Sequence, residues 1–248
     1  MPLRSTSPAR PNYGWDAPGI MLGFLASGTG AILAGTLIAA LAPGLWRYLG
    51  VAIAVLGAVP LLFGVLMLIY GLVGKARMRE RILNLASLRG GETVLDVGTG
   101  AGLLLVGAAK RLPRGRVVGV DLWAAKDLSN NAAETTMRNV ALEGVADRVD
   151  IQTGDARALA FPDASFDRVV SLLCIHNIED KAEQAAACRE IARVLRPGGL
   201  AVMGDYVPTD FYARAFEEAG MQVVQSRQEF AVALSNMWIV VAEKRLAA

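Results

Sequence analysis

An apolar segment that runs directly into a cluster of glycines is the feature that most constrains this chain. Thr93–Val97 is rich in β-branched residues and is followed at once by three glycines, Gly98, Gly100 and Gly102. Leu103–Arg111 then has the composition of a helix. A strand, a glycine turn and a helix in this order place backbone N–H groups and a helix N-terminus beside a ligand. The segment therefore predicts a nucleotide-type cofactor site on an α/β fold.

The spacing of the glycines distinguishes between cofactors. A dinucleotide fingerprint reads G-x-G-x-x-G, whereas the spacing here is G-x-G-x-G and the third position of the dinucleotide pattern is Leu103. Asp96 also lies inside the segment. A dinucleotide-dependent oxidoreductase is therefore disfavoured. The segment resembles the cofactor loop of the class I S-adenosylmethionine-dependent methyltransferases.

Strand and helix patterns alternate from about Lys75 to the end of the sequence. The predicted strands are 93–97, 116–120, 149–153, 166–173, 200–204, 221–230 and 237–242, and the predicted helices are 77–88, 103–111, 129–143, 181–195 and 211–219. This alternation is typical of a doubly wound, mostly parallel sheet with helices on both faces. We assign residues 75–248 to one α/β domain.

Four further segments extend the resemblance over residues 80–245. Val117–Leu122 resembles the second motif of the family and Thr153–Ala156 the third. Phe161–Asp167 and Glu190–Gly199 resemble the branch that includes quinone-biosynthesis methyltransferases. Five such segments in order are far more specific than one glycine loop. The resemblance implies a seven-stranded Rossmann-like methyltransferase fold, S-adenosylmethionine as cofactor and methyl transfer as the activity.

The resemblance also implies roles for individual residues in cofactor binding. Asp121 is expected to accept the ribose hydroxyls, Leu122 to pack on the adenine, and Asp155 with the Ala156 amide to bind the adenine edge. The alternatives are a solvated Asp121, a core Leu122 and a turn-forming Asp155. The glycine loop completes the predicted set with Asp96, Gly98, Thr99 and Gly100, in which Asp96 orients the methionine amino group.

Two residues are candidates for the chemistry itself. His176 follows the fourth predicted strand, where substrate is expected to enter, and Tyr206 follows the fifth. Alignment supplies much of the rate of an in-line methyl transfer, so a general base is needed only where the acceptor must lose a proton. Capping or packing is the alternative role for His176. The sequence holds one histidine and two cysteines without a C-x-x-C pair, so we predict no metal site.

Two uncharged apolar runs precede the domain. Residues 18–42 and 48–73 each exceed the roughly 20 residues that cross a bilayer, and the mean hydropathy of the chain is +0.40. We interpret residues 18–73 as a two-helix transmembrane hairpin after an N-terminal tail, residues 1–17. Residues 40–42 have the A-x-A shape of a signal-peptide cleavage site, but signal h-regions are only about 7–15 residues long and a second run follows.

Small residues recur at helical spacing in both runs. Glycines occur every seven residues in the second run, at 50, 57, 64 and 71, and Ser27, Ala31 and Gly35 are four apart in the first. Faces of small residues pack helices together in lipid. These faces predict either packing within the hairpin or a homodimer.

Charge predicts the orientation of the hairpin. Basic residues precede it and follow it closely, whereas the turn carries only Arg47. The positive-inside rule places both termini and the catalytic domain in the cytoplasm. The net charge of +2 indicates no nucleic-acid partner.

The sequence thus predicts a membrane-anchored methyltransferase of a lipophilic small molecule, such as a quinone precursor, an isoprenoid or a lipid. Two alternatives stay open. One is a methyltransferase of a soluble small molecule whose anchor only localises it, and the other is a non-catalytic S-adenosylmethionine-binding sensor or assembly factor.

Overall fold

Two long apolar helices form an antiparallel hairpin at the start of the structure. In the computed structural model, which describes residues 10–124, 128–129 and 131–246, α1 spans Pro18–Leu41 and α2 spans Leu45–Ile69. Proline is favoured in the first turn of a helix because its missing N–H would be unpaired there anyway. Both helices are long and apolar enough to cross a membrane.

The glycines of α2 pack against α1 of the same chain. A Cβ atom at Gly50 or Gly57 would lie 2.5 or 2.8 Å from atoms of α1, and one at Gly64 would also lie within 2.8 Å. On α1 the close contacts are at Gly28 and at the predicted Gly35, where a Cβ would lie 2.5 Å from backbone atoms of α2, and the predicted Ala31 lies against Gly57. The hydroxyl of Ser27 instead donates to the carbonyl of Gly23 in its own helix. The glycines at 50, 57 and 64 therefore pack within the hairpin, which is one of the two roles that the sequence predicts for these faces.

The second helix continues into the domain without a loop. A π-helical segment, Tyr70–Gly74, joins α2 to α3, Lys75–Leu85. Gly71, the last glycine of the seven-residue series, faces the indole of Trp15 instead of α1, because a Cβ there would lie 2.4 Å from that ring. The second helix of the hairpin and the first helix of the domain are therefore parts of one uninterrupted helix.

The described residues of the domain contain one seven-stranded sheet. Its strands are β1 Thr93–Val97, β2 Arg116–Asp121, β3 Val149–Thr153, β4 Phe166–Leu172, β5 Leu195–Asp205, β6 Met221–Gln228 and β7 Trp238–Lys244. The spatial order is β3-β2-β1-β4-β5-β7-β6, and β7 runs antiparallel to both its neighbours. The predicted fold class is confirmed, and the strand order reverses between β1 and β4.

Helices cover both faces of the sheet. They are α4 Leu103–Ala109, α5 Ala133–Leu142, α6 Lys181–Val194, α7 Asp210–Glu218 and the short α8 Phe230–Ala233. Side chains alternate between the faces of a strand. Leu95 and Val97 of β1 therefore join the core beneath α6 and α7, whereas Val94 joins the core beneath α3 and α4.

Several element boundaries differ from the prediction, and at two of them long-range contacts outweigh local signals. The fifth strand begins at Leu195, which pairs with Phe166, so the Pro197–Gly199 segment lies inside a strand. The helix expected at 129–143 begins at Ala133. The predicted cap Ser129 instead pairs with the N-terminal segment, and Asn130 lies outside the described residues.

Candidate cofactor site

A cavity of about 460 Å³ lies at the carboxyl ends of the parallel strands. Ligands of open α/β sheets bind at this end, at the point where the strand order reverses, and the volume is in the range of small-molecule sites. The structure brings the whole predicted cofactor set to its lining: Asp96, Gly98, Thr99, Gly100, Asp121, Leu122, Asp155 and Ala156.

The glycine loop after β1 has a shape that side chains would disturb. Gly98 has φ +74°, and a Cβ there would lie 2.4 Å from Cys174. The amides of Gly98 and Thr99 donate to the carbonyl of Val120 at 2.8 and 3.2 Å, and the amide of Gly100 donates to Asp121. Several backbone N–H groups that the sequence predicts to face a ligand are thus used in hydrogen bonds that stabilise the loop itself.

Asp96 brings a buried carboxylate to the wall of the cavity. The residue is 1% exposed, and its Oδ2 accepts from the Thr99 hydroxyl at 2.8 Å. Its Oδ1 is buried without a hydrogen-bond partner among the described residues. Burial raises the pKa of this carboxyl to about 7 against the opposing effect of the Thr99 hydrogen bond. Since buried acceptors are rarely left unpaired, this oxygen fits a cationic group of a ligand such as the ammonium of S-adenosylmethionine.

Asp121 ends β2 and joins the loop to the neighbouring turn. Its carboxylate accepts from the amide of Gly100 at 2.8 Å and from the amide of Trp123 at 2.7 Å. An ionised carboxylate has about four acceptor sites, so capacity remains for a ligand. Leu122 beside it is 58% exposed. Of the residues that follow it, 125–127 lie outside the described residues.

Asp155 is already paired, which the sequence did not indicate. Its carboxylate accepts from the Arg157 guanidinium at 2.6 Å and from the Arg157 amide at 2.9 Å. Arg157 also pairs with Glu183. The Arg157 hydrogen bonds lower the pKa of Asp155, so this end of the cavity carries a firmly ionised carboxylate next to a neutralised arginine.

The N-terminal segment also lines the cavity, which the sequence analysis missed. Tyr13, Asp16 and Lys75 lie in the same lining as the glycine loop. The Lys75 ammonium donates to the Tyr13 carbonyl at 3.0 Å and lies 3.1 and 3.0 Å from the two carboxylate oxygens of Asp16. We call residues 12–17 the strap, because they cross the cavity before entering α1.

Hydrogen bonds fasten the strap to the domain. Asn139, which is fully buried in α5, accepts from the Asn12 amide at 2.9 Å and donates to the Asn12 carbonyl at 2.7 Å. The same side chain donates to the carbonyl of Ala101 in the glycine loop at 2.9 Å. The Trp15 amide donates to the Ser129 hydroxyl at 2.8 Å. Asn139 therefore links the strap to the loop directly.

The two predicted catalytic residues come together outside this lining. His176 Nδ1 lies 2.8 Å from Asp205 Oδ1, although its N–H direction falls outside hydrogen-bond geometry. The Tyr206 ring meets the imidazole edge-on at 4.5 Å, and the Tyr212 hydroxyl donates to Asp205 Oδ2 at 3.1 Å. Among the described residues the cavity lining includes Asn177 but neither His176 nor Tyr206.

Comparison with known proteins agrees with this geometry. Residues 95–203 match the family model described as a methyltransferase domain. Methyltransferase GfsG of Streptomyces halstedii is 34% identical over 131 residues, which are 53% of this chain and 44% of that protein. Demethylmenaquinone methyltransferase of Symbiobacterium thermophilum is 38% identical over 112 residues, which are 45% of this chain and 41% of that protein.

Solved structures share the fold at low identity. The crystal structure of the [4+2]-cyclase SpnF matches with a TM-score of 0.58 and 19% identity, over 69% of this chain and 81% of that one. The chain spans less than half the length of the two curated relatives above. The prediction from the motifs is confirmed for residues 95–203, which match a methyltransferase domain. This match and the curated relatives support a class I S-adenosylmethionine-dependent methyltransferase.

Proposed function

We propose that this chain is a membrane-anchored methyltransferase that methylates a lipophilic small molecule, such as a quinone precursor, an isoprenoid or a lipid. One observation carries the proposal. The cofactor cavity is lined by residues that adjoin the hairpin on both sides, Asp16 of the strap before α1 and Lys75 at the start of α3. A molecule in the bilayer beside the hairpin would therefore meet the domain close to its cofactor.

The exposed surface of the hairpin supports the membrane assignment. Only 11% of the most apolar window of each helix is buried, and large side chains such as Leu33 and Leu56 are 65% and 69% exposed. A helix in the core of a soluble protein buries such residues, whereas a helix in lipid exposes them. Under the positive-inside rule, the basic residues that flank the hairpin favour a cytoplasmic location for the strap and the domain.

The relatives favour an apolar acceptor of moderate size. One of them is named for demethylmenaquinone, and the cavity of this chain adds leucine side chains to its polar groups, among them Leu103, Leu172 and Leu173. We assign the acceptor the class of a hydrophobic ring or chain with one nucleophilic atom.

Within this proposal the residues of the cavity divide between the parts of the cofactor. Asp121 accepts the ribose hydroxyls, Leu122 packs on the adenine, and Asp155 with the Ala156 amide binds the adenine edge. Asp96 receives the ammonium, and Gly98, Thr99 and Gly100 let the backbone approach closely. When bound, S-adenosylmethionine supplies a methyl carbon made electrophilic by the sulfonium.

His176 is the proposed general base where the acceptor atom carries a proton. Its Nδ1 faces Asp205, which leaves Nε2 as the atom that takes the proton, and Tyr206 holds the ring edge-on. Because the pair lies outside the cavity lining, the acceptor must extend from the cavity to reach it. His176→Ala should lower turnover at saturating cofactor at least tenfold. Near-full turnover would exclude the base and leave alignment as the source of the rate.

The activity is tested with the full chain in lipid vesicles. Labelled S-adenosylmethionine and a host membrane extract are added, and the labelled product is identified. We expect label in a lipid-soluble product, and Asp121→Ala as the matched control should abolish it. Label confined to water-soluble product would favour the alternative of a soluble acceptor. Cofactor binding without any labelled product would favour the sensor or assembly factor.

A matched pair of acceptors then tests the role of the anchor. Once the product is known, the same head group is offered with and without its apolar tail. We expect kcat/KM to be at least tenfold higher for the tailed acceptor. Equal values would mean that the hairpin only localises the enzyme.

A further inference from the structure

We propose that Lys75 and Asp16, together with Asp96, recognise the zwitterionic aminocarboxylate end of the cofactor. This inference rests on the proposed function, because it concerns the same cavity. It assigns a specificity role to two residues outside the methyltransferase motifs, one on the strap and one at the junction of the hairpin with the domain.

The charges that line the cavity point to this end. Among the described lining residues the cations are Lys75 and Arg157. Arg157 follows β3 at one edge of the sheet and is engaged by Asp155 and Glu183. Lys75 begins α3, which packs near β4 and β5. The two cations therefore stand at different ends of the cavity, and Lys75 stands at the end formed by the strap.

The Lys75 end presents both signs of charge to one ligand. Lys75 is 8% exposed, and its ammonium is engaged by Asp16 at 3.0 Å and by the carbonyls of Tyr13 and Gly14. A ligand carboxylate would therefore share these donors. Asp96 adds a buried oxygen without a partner among the described residues. Of the groups in S-adenosylmethionine, the amino acid carries an ammonium and a carboxylate, whereas the adenosine carries no charge. If the amino acid of the ligand lies at this end, its carboxylate faces the Lys75 ammonium and its ammonium faces the carboxylate of Asp96.

The strap is built to stay over the loop. Gly14 has φ +71°, and a Cβ there would lie 2.7 Å from the Ser129 carbonyl, so the strap passes the domain at close range. The same Cβ would lie 3.0 Å from Leu128, and a Cβ at Gly100 would lie 3.0 Å from the other side of that leucine. Leu128 therefore separates the strap from the glycine loop by one side chain, and Asp16 reaches the cavity from a fixed backbone.

Two ligands that differ only in the amino acid test the inference. S-adenosylhomocysteine carries the aminocarboxylate, and 5′-methylthioadenosine is a thioether of adenosine without it. Their dissociation constants are measured by calorimetry on the full chain in detergent micelles. The variants are Lys75→Met, Asp16→Asn and, as a control, Arg148→Met, which removes a cation of an exposed ion pair outside this cavity.

We expect Lys75→Met to weaken S-adenosylhomocysteine about 10- to 100-fold, the value of one charge-assisted hydrogen bond, and to change 5′-methylthioadenosine less than about threefold. Asp16→Asn should also weaken the binding of S-adenosylhomocysteine. This variant decides the question if Lys75→Met does not fold. Arg148→Met should change neither ligand.

Equal effects on both ligands, or none, would overturn the inference, because a merely structural strap does not distinguish them. Equal affinity of the unaltered chain for the two ligands would do the same. Binding of neither ligand by the unaltered chain would instead overturn the proposed function.

Discussion

The raised pKa of Asp96 makes cofactor binding depend on pH in a direction that the structure determines. In the ligand-free protein the Asp96 carboxyl has a pKa of about 7 because it is buried, with a smaller contribution from the charge of Asp121. A cationic ligand binds the ionised form, so binding must release a proton wherever Asp96 is protonated in the free protein. Affinity for S-adenosylhomocysteine should therefore rise with pH and level off above about 7.

The size of the effect follows from the same pKa. The ionised fraction is about 0.1 at pH 6 and about 0.9 at pH 8, which corresponds to about a tenfold gain in affinity over that interval. Calorimetry in two buffers of different ionisation enthalpy measures both quantities. At pH 6 we expect close to one proton released for each ligand bound, and at pH 8 close to none.

Asp96→Asn is the control, since an amide cannot titrate. The variant should bind weakly and with no pH dependence between pH 6 and 8. A flat profile for the unaltered chain, affinity that falls as pH rises, or an equal slope in the variant would refute the assignment of the ammonium to Asp96.

The same shift has an opposite consequence for the stability of the free protein. Because the folded state holds its Asp96 proton up to a higher pH than the unfolded chain does, the free energy of unfolding should fall as pH rises from about 4 to 7. Bound ligand should remove much of this loss, which thermal unfolding with and without S-adenosylhomocysteine would measure.

Three further substitutions test the packing around the site and in the hairpin. Asn139→Ala removes three hydrogen bonds that join the strap, α5 and the glycine loop, and should lower the free energy of unfolding by about 2–4 kcal/mol in denaturant titrations; a loss under 0.5 kcal/mol would contradict the tie. Gly98→Ala sets a methyl group 2.4 Å from a cysteine side chain and should weaken ligand binding more than tenfold in calorimetric titrations, whereas Gly91→Ala, which meets no neighbour within 4 Å, should not. Gly57→Leu should separate the hairpin helices and lower the melting temperature in micelles, whereas Gly30→Leu, which points into open space, should leave it unchanged; equal melting temperatures for the two would contradict the packing.

The sequence could predict the parts of the site that are local along the chain. Asp121 and Asp155 stand where strands end, and parallel strands bring those ends to one edge of the sheet. The spacing of the glycines after β1 likewise reports a backbone turn. Each of these features depends on residues that are adjacent in the sequence, so a short sequence pattern is enough to predict it.

The strap could not be found in this way. Asn12 and its partner Asn139 are 127 residues apart, and Lys75 lies 59 residues from Asp16. No periodicity or motif encodes such pairs, because they are made by the return of the chain over the finished sheet. Topology likewise places His176 after β4 without saying whether the imidazole faces the cofactor cavity or Asp205.

A continuous helix of 41 residues, Leu45–Leu85, connects the hairpin to the domain. At 1.5 Å per residue it is a strut about 60 Å long. It contains no loop, and the places where it can bend are Pro60 and the π-helical segment Tyr70–Gly74. The domain is therefore not joined to the hairpin by a flexible linker. Its height and tilt follow from those of the hairpin. In a bilayer, helices tilt to match their apolar length to the local thickness. Lys75 lies on the same helix and lines the cofactor cavity. Under the proposed function, a change in membrane thickness that tilts the hairpin would therefore also change the position of Lys75.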